Sequence, residues 1–319
     1  MGIQPQYVDL QVNGYAGVDF NQDGLSAADF HQACQRLRED GVAGILVTII
    51  TDKLPQMTAR LARIAALHEQ DPLVREVVWG IHIEGPFLNE LSGYVGAHPP
   101  QDVCPADLAV MKRLLDAGGG LARLVTLAPE RDPGLKVVRY LARHNVLVAA
   151  GHTDASYDEL SAAIDAGLSL FTHLGNGCPM MLPRNDNIIQ RVLGLRERLM
   201  VTFIADGVHV PPAALANYLR LIGIERSLVV TDAISAARLG PGNYRLGRLE
   251  IEIGDDLIAH LPNSSMLMGS TATMPRMVAV LRDEMGLSDD EIRQLASDNP
   301  RRVLGQVAGL PADHAAIGK

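Results

Sequence analysis

A chain of 319 residues with 47% hydrophobic and 20% charged side chains can bury a large core, which excludes a disordered or fibrous protein. Its formal net charge of −9 offers no broad basic field to nucleic-acid phosphates or an anionic membrane, so neither is an expected partner. Cys34, Cys104 and Cys178 are odd in number and lack zinc-finger spacing. With no signal-peptide layout and no apolar run of membrane-spanning length, the expected location is the cytoplasm.

Short β-rich apolar runs recur along the chain at Tyr7–Val12, Ile45–Ile50, Val77–Ile83, Leu124–Leu127, Val146–Ala149, Ser169–Thr172, Val201–Ile204 and Leu228–Thr231. Helical periodicity fills the intervals at Ala27–Asp40, Gln56–Glu69, Ala106–Ala117, Leu135–His144, Tyr157–Ala166 and Pro212–Leu221. Eight such βα repeats in a chain of this length predict an α/β fold, a closed (β/α)8 TIM barrel. From Gly240 to Met268 the rhythm changes to alternating polar and apolar residues punctuated by Gly, Asn, Asp and Pro, which predicts a β-hairpin insertion after strand eight. Helices over Ser270–Met285 and Ser288–Leu304 follow, and a Gly/Ala-rich tail from about residue 306 is expected to fray. Residues 1–319 read as a single domain, with no linker and no short repeat.

In such a barrel the C-terminal strand ends face the active site, and here they are crowded with polar groups. Strand one runs into Gln11-Val12-Asn13, strand three into His82-Ile83-Glu84, and strand five into Gly151-His152. Strand six ends in Thr172-His173, with Asn176 and Gly177 following; strand seven gives Asp206 and His209, and strand eight Asp232. Two imidazoles and a carboxylate from neighbouring strand ends form a zinc-type ligand set that leaves a coordination position open for water. A metal there lowers the pKa of bound water and polarises a carbonyl, so hydrolysis needs no covalent nucleophile. A carboxylate such as Asp232 is suited to take the water's proton and return it to the leaving group. No Gly-rich loop followed by Lys and Ser/Thr and no G-x-S-x-G elbow is present, and Gly118-Gly119-Gly120 precedes a strand where a dinucleotide fingerprint follows one.

The segments VDLQVNGYAGVDFN, HIEGPFLN, GAHPP, VTLAPE, AGHTDA, THLGNGCPM, IADGVHV, VTDA and MGSTATM occur in barrel order. On these motifs the chain, from Tyr7 to Leu304, resembles the N-acetylglucosamine-6-phosphate deacetylase family of the amidohydrolase superfamily. The resemblance implies that Glu84, His152 and His173 ligate a metal and that Asp232 is the general base and acid. It implies that His98 helps to polarise the acetyl carbonyl, that His209 contacts the sugar, and that Asn176 and Gly177 meet the substrate's sugar and phosphate. Arg184 lies where the family presents a phosphate-binding arginine across a dimer interface, so a homodimer is implied; a guanidinium suits a phosphate better than a neutral sugar.

Gln11 and Asn13 stand where many amidohydrolases carry a His-x-His pair, so a single divalent metal is implied, Zn²⁺ first, with Fe²⁺, Co²⁺ and Mn²⁺ also suited to the donors. Both amides are assigned to substrate binding. Thr172-His173-Leu174-Gly175-Asn176-Gly177-Cys178 replaces the family's THLFNAM-like segment, and the chain has the span of a barrel-only version without the family's small β-sandwich. The implied reaction is removal of the acetyl group from N-acetylglucosamine 6-phosphate or a close amino-sugar phosphate. The alternatives are an amidohydrolase for another N-acyl or cyclic amide substrate, and a non-catalytic amino-sugar phosphate sensor.

Overall fold

The computed structural model describes residues 6–262 and 267–307. Eight parallel strands form the central sheet: β1 Tyr7–Val12, β2 Val42–Ile50, β3 Val78–Glu84, β4 Ala122–Leu127, β5 Leu147–Ala150, β6 Leu170–Phe171, β7 Met200–Ile204 and β8 Ser227–Val230. They pair in chain order, each with the next. All eight expected strands are present, with ends displaced by up to three residues. Their Val, Ile and Leu runs are buried on both faces because helices cover the outside while interior side chains fill the barrel. The end strands meet at one backbone bridge, Val12 with Ala233 just past β8, beside bonds from the Asn13 and Gly14 N–H groups to the Ala233 carbonyl.

One helix after each of the first seven strands wraps the barrel: α1 Ala27–Glu39, α2 Leu54–Gln70, α3 Leu108–Ala117, α4 Lys136–Arg143, α5 Tyr157–Asp165, α6 Ile188–Gly194 and α7 Pro212–Ile222; a further short helix, Pro72–Val77, packs on α1 and leads into β3. Ser26, Asp107 and Asn187 cap α1, α3 and α6 with side-chain oxygens, and Ser156 with Glu159 forms a full capping box on α5. Helix α6 was not among the expected elements: at seven residues it is too short for its periodicity to stand out from the polar loop that precedes it. On the barrel wall, Gly44 of β2 offers its bare backbone to the Trp79 indole of β3; a Cβ there would lie 2.1 Å from the ring.

The expected hairpin is a three-stranded antiparallel sheet, β9 Gly242–Leu246, β10 Leu249–Ile253 and β11 Ala259–His260. Its third strand falls within Leu257–His260, one of the three alternating runs of the inserted segment. Leu246, Ile251 and Ile253 of this sheet pack with Ile50, Ile234 and Met268 into a second apolar cluster at the barrel mouth. Its turn is tied down by the Asp19 carboxylate, which accepts from the Gly247 N–H at 2.6 Å. Arg248 beside it joins Asp52 at the end of β2 to Asp102 in the loop after β3. Helical segments Met274–Glu284 and Asp289–Leu304 close the chain, each containing a wider π-type turn. The tail expected to fray lies, beyond Val307, outside the described residues. No helix among the described residues is long and apolar enough to cross a membrane.

Candidate active site

Glu84 is the last residue of β3, and His152, His173 and Asp232 lie just beyond β5, β6 and β8. The last three share an unusual backbone: φ is +51°, +34° and +50°, the left-handed region that side chains rarely adopt and that recurs at functional sites. Glu84, His152 and His173 are buried, and Asp232 is partly buried. With His98, His209, Asn13, Asn176 and Gly177 they line a cavity of about 70 Å³ at the barrel mouth.

Glu84 is the hub. Its Oε1 lies 3.2 Å from His173 Nε2 and 3.4 Å from His152 Nε2, and Oε2 lies 3.9 Å from His98 Nε2. Burial pushes the Glu84 carboxyl up, but the close imidazoles of His152, His173 and His98 outweigh it and hold it well below the usual carboxylate range. His173 is shifted the other way: burial lowers its pKa, and the Glu84 and Asp232 carboxylates raise it by more.

The donor atoms of Glu84, His98 and His152 lie within 4.8 Å of one another, close enough for one metal ion, and His173 joins through its contact with Glu84. Hydrogen bonding separates the two claims. His152 Nδ1 lies 2.7 Å from the Tyr94 carbonyl, an acceptor only, so Nδ1 carries the proton and Nε2 presents a lone pair to the cavity. His98 Nδ1 instead accepts from the Thr51 N–H at 3.3 Å, which leaves the proton on Nε2. Burial, aided by the His152 ring, pushes His98 down to about 3, so it is neutral, and its cavity-facing nitrogen is a donor rather than a metal ligand. The expected triad of Glu84, His152 and His173 is therefore chemically the better ligand set.

Asp232 Oδ1 accepts from Asn13 Nδ2 at 2.7 Å and from Gln11 Nε2 at 3.1 Å, and Gln11 Nε2 also reaches Glu84 Oε1 at 3.1 Å. Among the described residues no hydrogen bond goes to Oδ2. Burial and the Glu84 charge push Asp232 up to about 6. Gln11 thus joins Glu84 to Asp232 and does not line the cavity, whereas Asn13 both binds Asp232 and faces it. His209 is held by Asp206, whose Oδ2 lies 2.7 Å from Nδ1. Asn176 Nδ2 is buried without a protein partner. Arg184, like Gln11, does not line the cavity; it is exposed on the loop between β6 and α6.

Beneath the site lies a polar layer that sequence reading did not single out. His82 bridges Thr48 Oγ1 at 3.3 Å and Thr126 Oγ1 at 2.7 Å, and Thr126 meets Thr172 at 2.8 Å. His82 stands two residues before Glu84 and so faces the same interior; that spacing was its only signal. Burial pushes it down to about 4 and keeps the ring neutral.

No protein-family model matches the chain. The N-acetylgalactosamine-6-phosphate deacetylase of Escherichia coli O157:H7 is 32% identical over 301 residues, which cover 94% of this chain and 78% of that protein. The N-acetylglucosamine-6-phosphate deacetylase of Bacillus subtilis strain 168 is 30% identical over 303 residues, 94% of this chain and 75% of that protein. Among solved structures, the Mycobacterium smegmatis N-acetyl-D-glucosamine-6-phosphate deacetylase, an aspartate-to-alanine variant in complex with N-acetyl-D-glucosamine-6-phosphate, superposes with a TM-score of 0.86 at 32% identity, covering 97% of this chain and 81% of that one. The Thermotoga maritima N-acetylglucosamine-6-phosphate deacetylase gives 0.83 at 26% identity, with 95% and 78% covered. Sequence likeness over nearly the whole chain and superposition of the whole barrel agree: the chain belongs to the N-acetylglucosamine-6-phosphate deacetylase family of amidohydrolases.

Proposed function

We propose that the protein is a metal-dependent hydrolase that removes the acetyl group from N-acetylglucosamine 6-phosphate, releasing acetate and the amino-sugar phosphate. The observation that carries this reading is the convergence, in one buried cavity, of a Glu/His/His donor set with a free carboxylate oxygen on Asp232. Glu84, His152 and His173 would hold one divalent ion, with zinc the leading choice for such donors. When bound, that ion supplies Lewis acidity toward water and the acetyl carbonyl.

The chain's own groups divide the remaining work. Asp232, restrained by two amides on Oδ1, is poised to accept the attacking water's proton at Oδ2 and to pass it to the departing amine. The His98 Nε2–H donates to the acetyl oxygen as negative charge grows there. With Nδ1 held by Asp206, His209 offers Nε2 to a sugar hydroxyl, and the unpartnered Asn176 amide with Gly177 receives the distal end of the substrate. Arg184 reaches a phosphate only in a neighbouring copy, so the reading includes a homodimer. Met180 and Met181 on the same loop are 100% and 88% exposed, apolar surface that a second copy would cover.

The relative at 32% identity named for the galactosamine epimer makes N-acetylgalactosamine 6-phosphate a second substrate to weigh. Acetate release from both epimers, with and without the phosphate, by zinc-loaded protein tests the reading. Turnover confined to phosphorylated N-acetyl sugars is expected. No acetate from any of them would overturn the assignment, and turnover of unphosphorylated sugars alone would move it to another amide substrate.

A further inference from the structure

We infer that Asp9 is a positioning residue for Asp232: from inside the barrel it clamps the turn that carries that carboxylate, without facing the cavity. Asp9 and Gln11 of β1 and Asn13 just past its end are spaced two residues apart, and all three serve the Asp232 corner. Asp9 Oδ2 accepts from the Thr231 hydroxyl at 2.6 Å, and Oδ1 accepts from the Thr231 N–H at 3.1 Å and the Gln11 N–H at 3.2 Å. The Thr231 hydroxyl in turn accepts from the Ala233 N–H at 3.1 Å, so one carboxylate holds the residues on both sides of Asp232.

The restraint has a reason. Asp232 sits at φ +50°, a conformation that persists only where the surroundings impose it. No ladder joins β1 to β8 among the described residues; the backbone pairs only past β8, through the Val12–Ala233 bridge, the Asn13 and Gly14 bonds to the Ala233 carbonyl, and the Ser270 N–H donated to the Asp232 carbonyl. The Asp9 clamp adds a side-chain restraint from the β1 side to this short backbone pairing. It also fixes the backbone of Gln11, whose amide spans Glu84 and Asp232, so a slip of β1 against β8 would move the base relative to the ligand set. Burial pushes the Asp9 carboxyl up to about 7 against the three donated bonds. A carboxyl 1% exposed in a core that an apolar residue would fill is a costly choice for packing alone.

The inference rests on Asp232 as the base, and the experiment separates the two. Asp9→Asn is nearly isosteric but turns an acceptor toward the Thr231 hydroxyl into a donor. Thr231→Val removes the hydroxyl, and Thr231→Ser keeps it. For Asp9→Asn and Thr231→Val, kcat should fall roughly 10–100-fold, the range for partners that orient site groups, with KM, bound metal and melting temperature near the parent. Thr231→Ser should retain parental kcat. Crystals of Asp9→Asn should show the Asp232 carboxylate displaced by more than about 0.5 Å. Folded Asp9→Asn with parental kcat, a loss that follows metal content alone, or an unmoved Asp232 would each overturn the role. A parent inactive on every N-acetyl sugar phosphate would overturn the functional reading, and the position of Asp232 in the variant crystals would still decide the role of Asp9.

Discussion

His98 and His152 lie with ring centroids 4.5 Å apart in the same cavity, yet opposite tautomers give them opposite chemistry. One presents a proton and the other a lone pair, and the difference comes from a backbone N–H at Thr51 and a backbone carbonyl at Tyr94. Replacing His98 by Asn should therefore lower kcat roughly 10²–10³-fold while bound zinc per chain stays unchanged, because the lost group stabilises developing charge. Loss of metal in that variant would make His98 a ligand. Asp232→Asn should abolish turnover, by roughly 10²–10⁴-fold in kcat, again with metal retained. The base works as a carboxylate, which is lost as pH falls through its pKa. Burial and Glu84 set that value at about 6 without metal, and a bound cation opposes both, so the acid limb of kcat/KM should lie at or below pH 6. An acid limb centred above pH 7 would contradict Asp232 as the base. Whereas His98 was carried only by the family resemblance, His152 and Asp232 were visible in the sequence because each directly follows an apolar run. Their partners were not: Tyr94 lies 58 positions from His152, and no local pattern foretells such a contact.

The barrel strands and most helices were legible because their signals are local: β-rich runs, helical periodicity and capping residues. Helix α6 and the short helix Pro72–Val77 were missed where an element is too short to complete a pattern. The insertion also shows how an added sheet is fastened. Asp19, at the end of the short ladder of Gly14–Tyr15 with Val18–Asp19, holds both the Asn21 N–H and the Gly247 N–H of the β9–β10 turn. Burial pushes its carboxyl up to about 6 from an ordinary 3.8, against the two donated bonds. In that interval the folded state holds a proton that the unfolded chain releases, so the stability Asp19 contributes falls as pH rises from about 4 to 6. Asp19→Asn does not titrate, and its stability relative to the parent should rise by roughly 3 kcal/mol across that window and then level off, since a tenfold difference in proton affinity is worth about 1.4 kcal/mol. Urea midpoints at pH 4.5 and 7 check the sign. On the barrel wall, Gly44→Ala should cost about 1–3 kcal/mol by overpacking against Trp79, with altered emission from this sole tryptophan as a second readout.

At the scale of the molecule, no Lys or Arg among the described residues lines the cavity, and the homodimer proposed above would bring the exposed Arg184 of a neighbouring copy to the substrate's phosphate. Arg184→Ala and Asp232→Asn proteins, each nearly inactive on the phosphorylated sugar, should regain activity when refolded together. In the mixed dimer the intact Asp232 of one chain would meet Arg184 of the partner subunit. No recovery would place the phosphate elsewhere. The fold-level reading succeeded because eight βα units leave few alternatives, while assembly was carried only by resemblance. The thinly paired seam between β1 and β8 has a further consequence. Where a cylinder of strands is held by side-chain clasps rather than a backbone ladder, it should open there first, by partial unfolding well short of global denaturation. Enzyme activity should then vanish at lower urea than the far-ultraviolet circular dichroism of the whole barrel, and amides of β8 should exchange with solvent deuterium before those of β3.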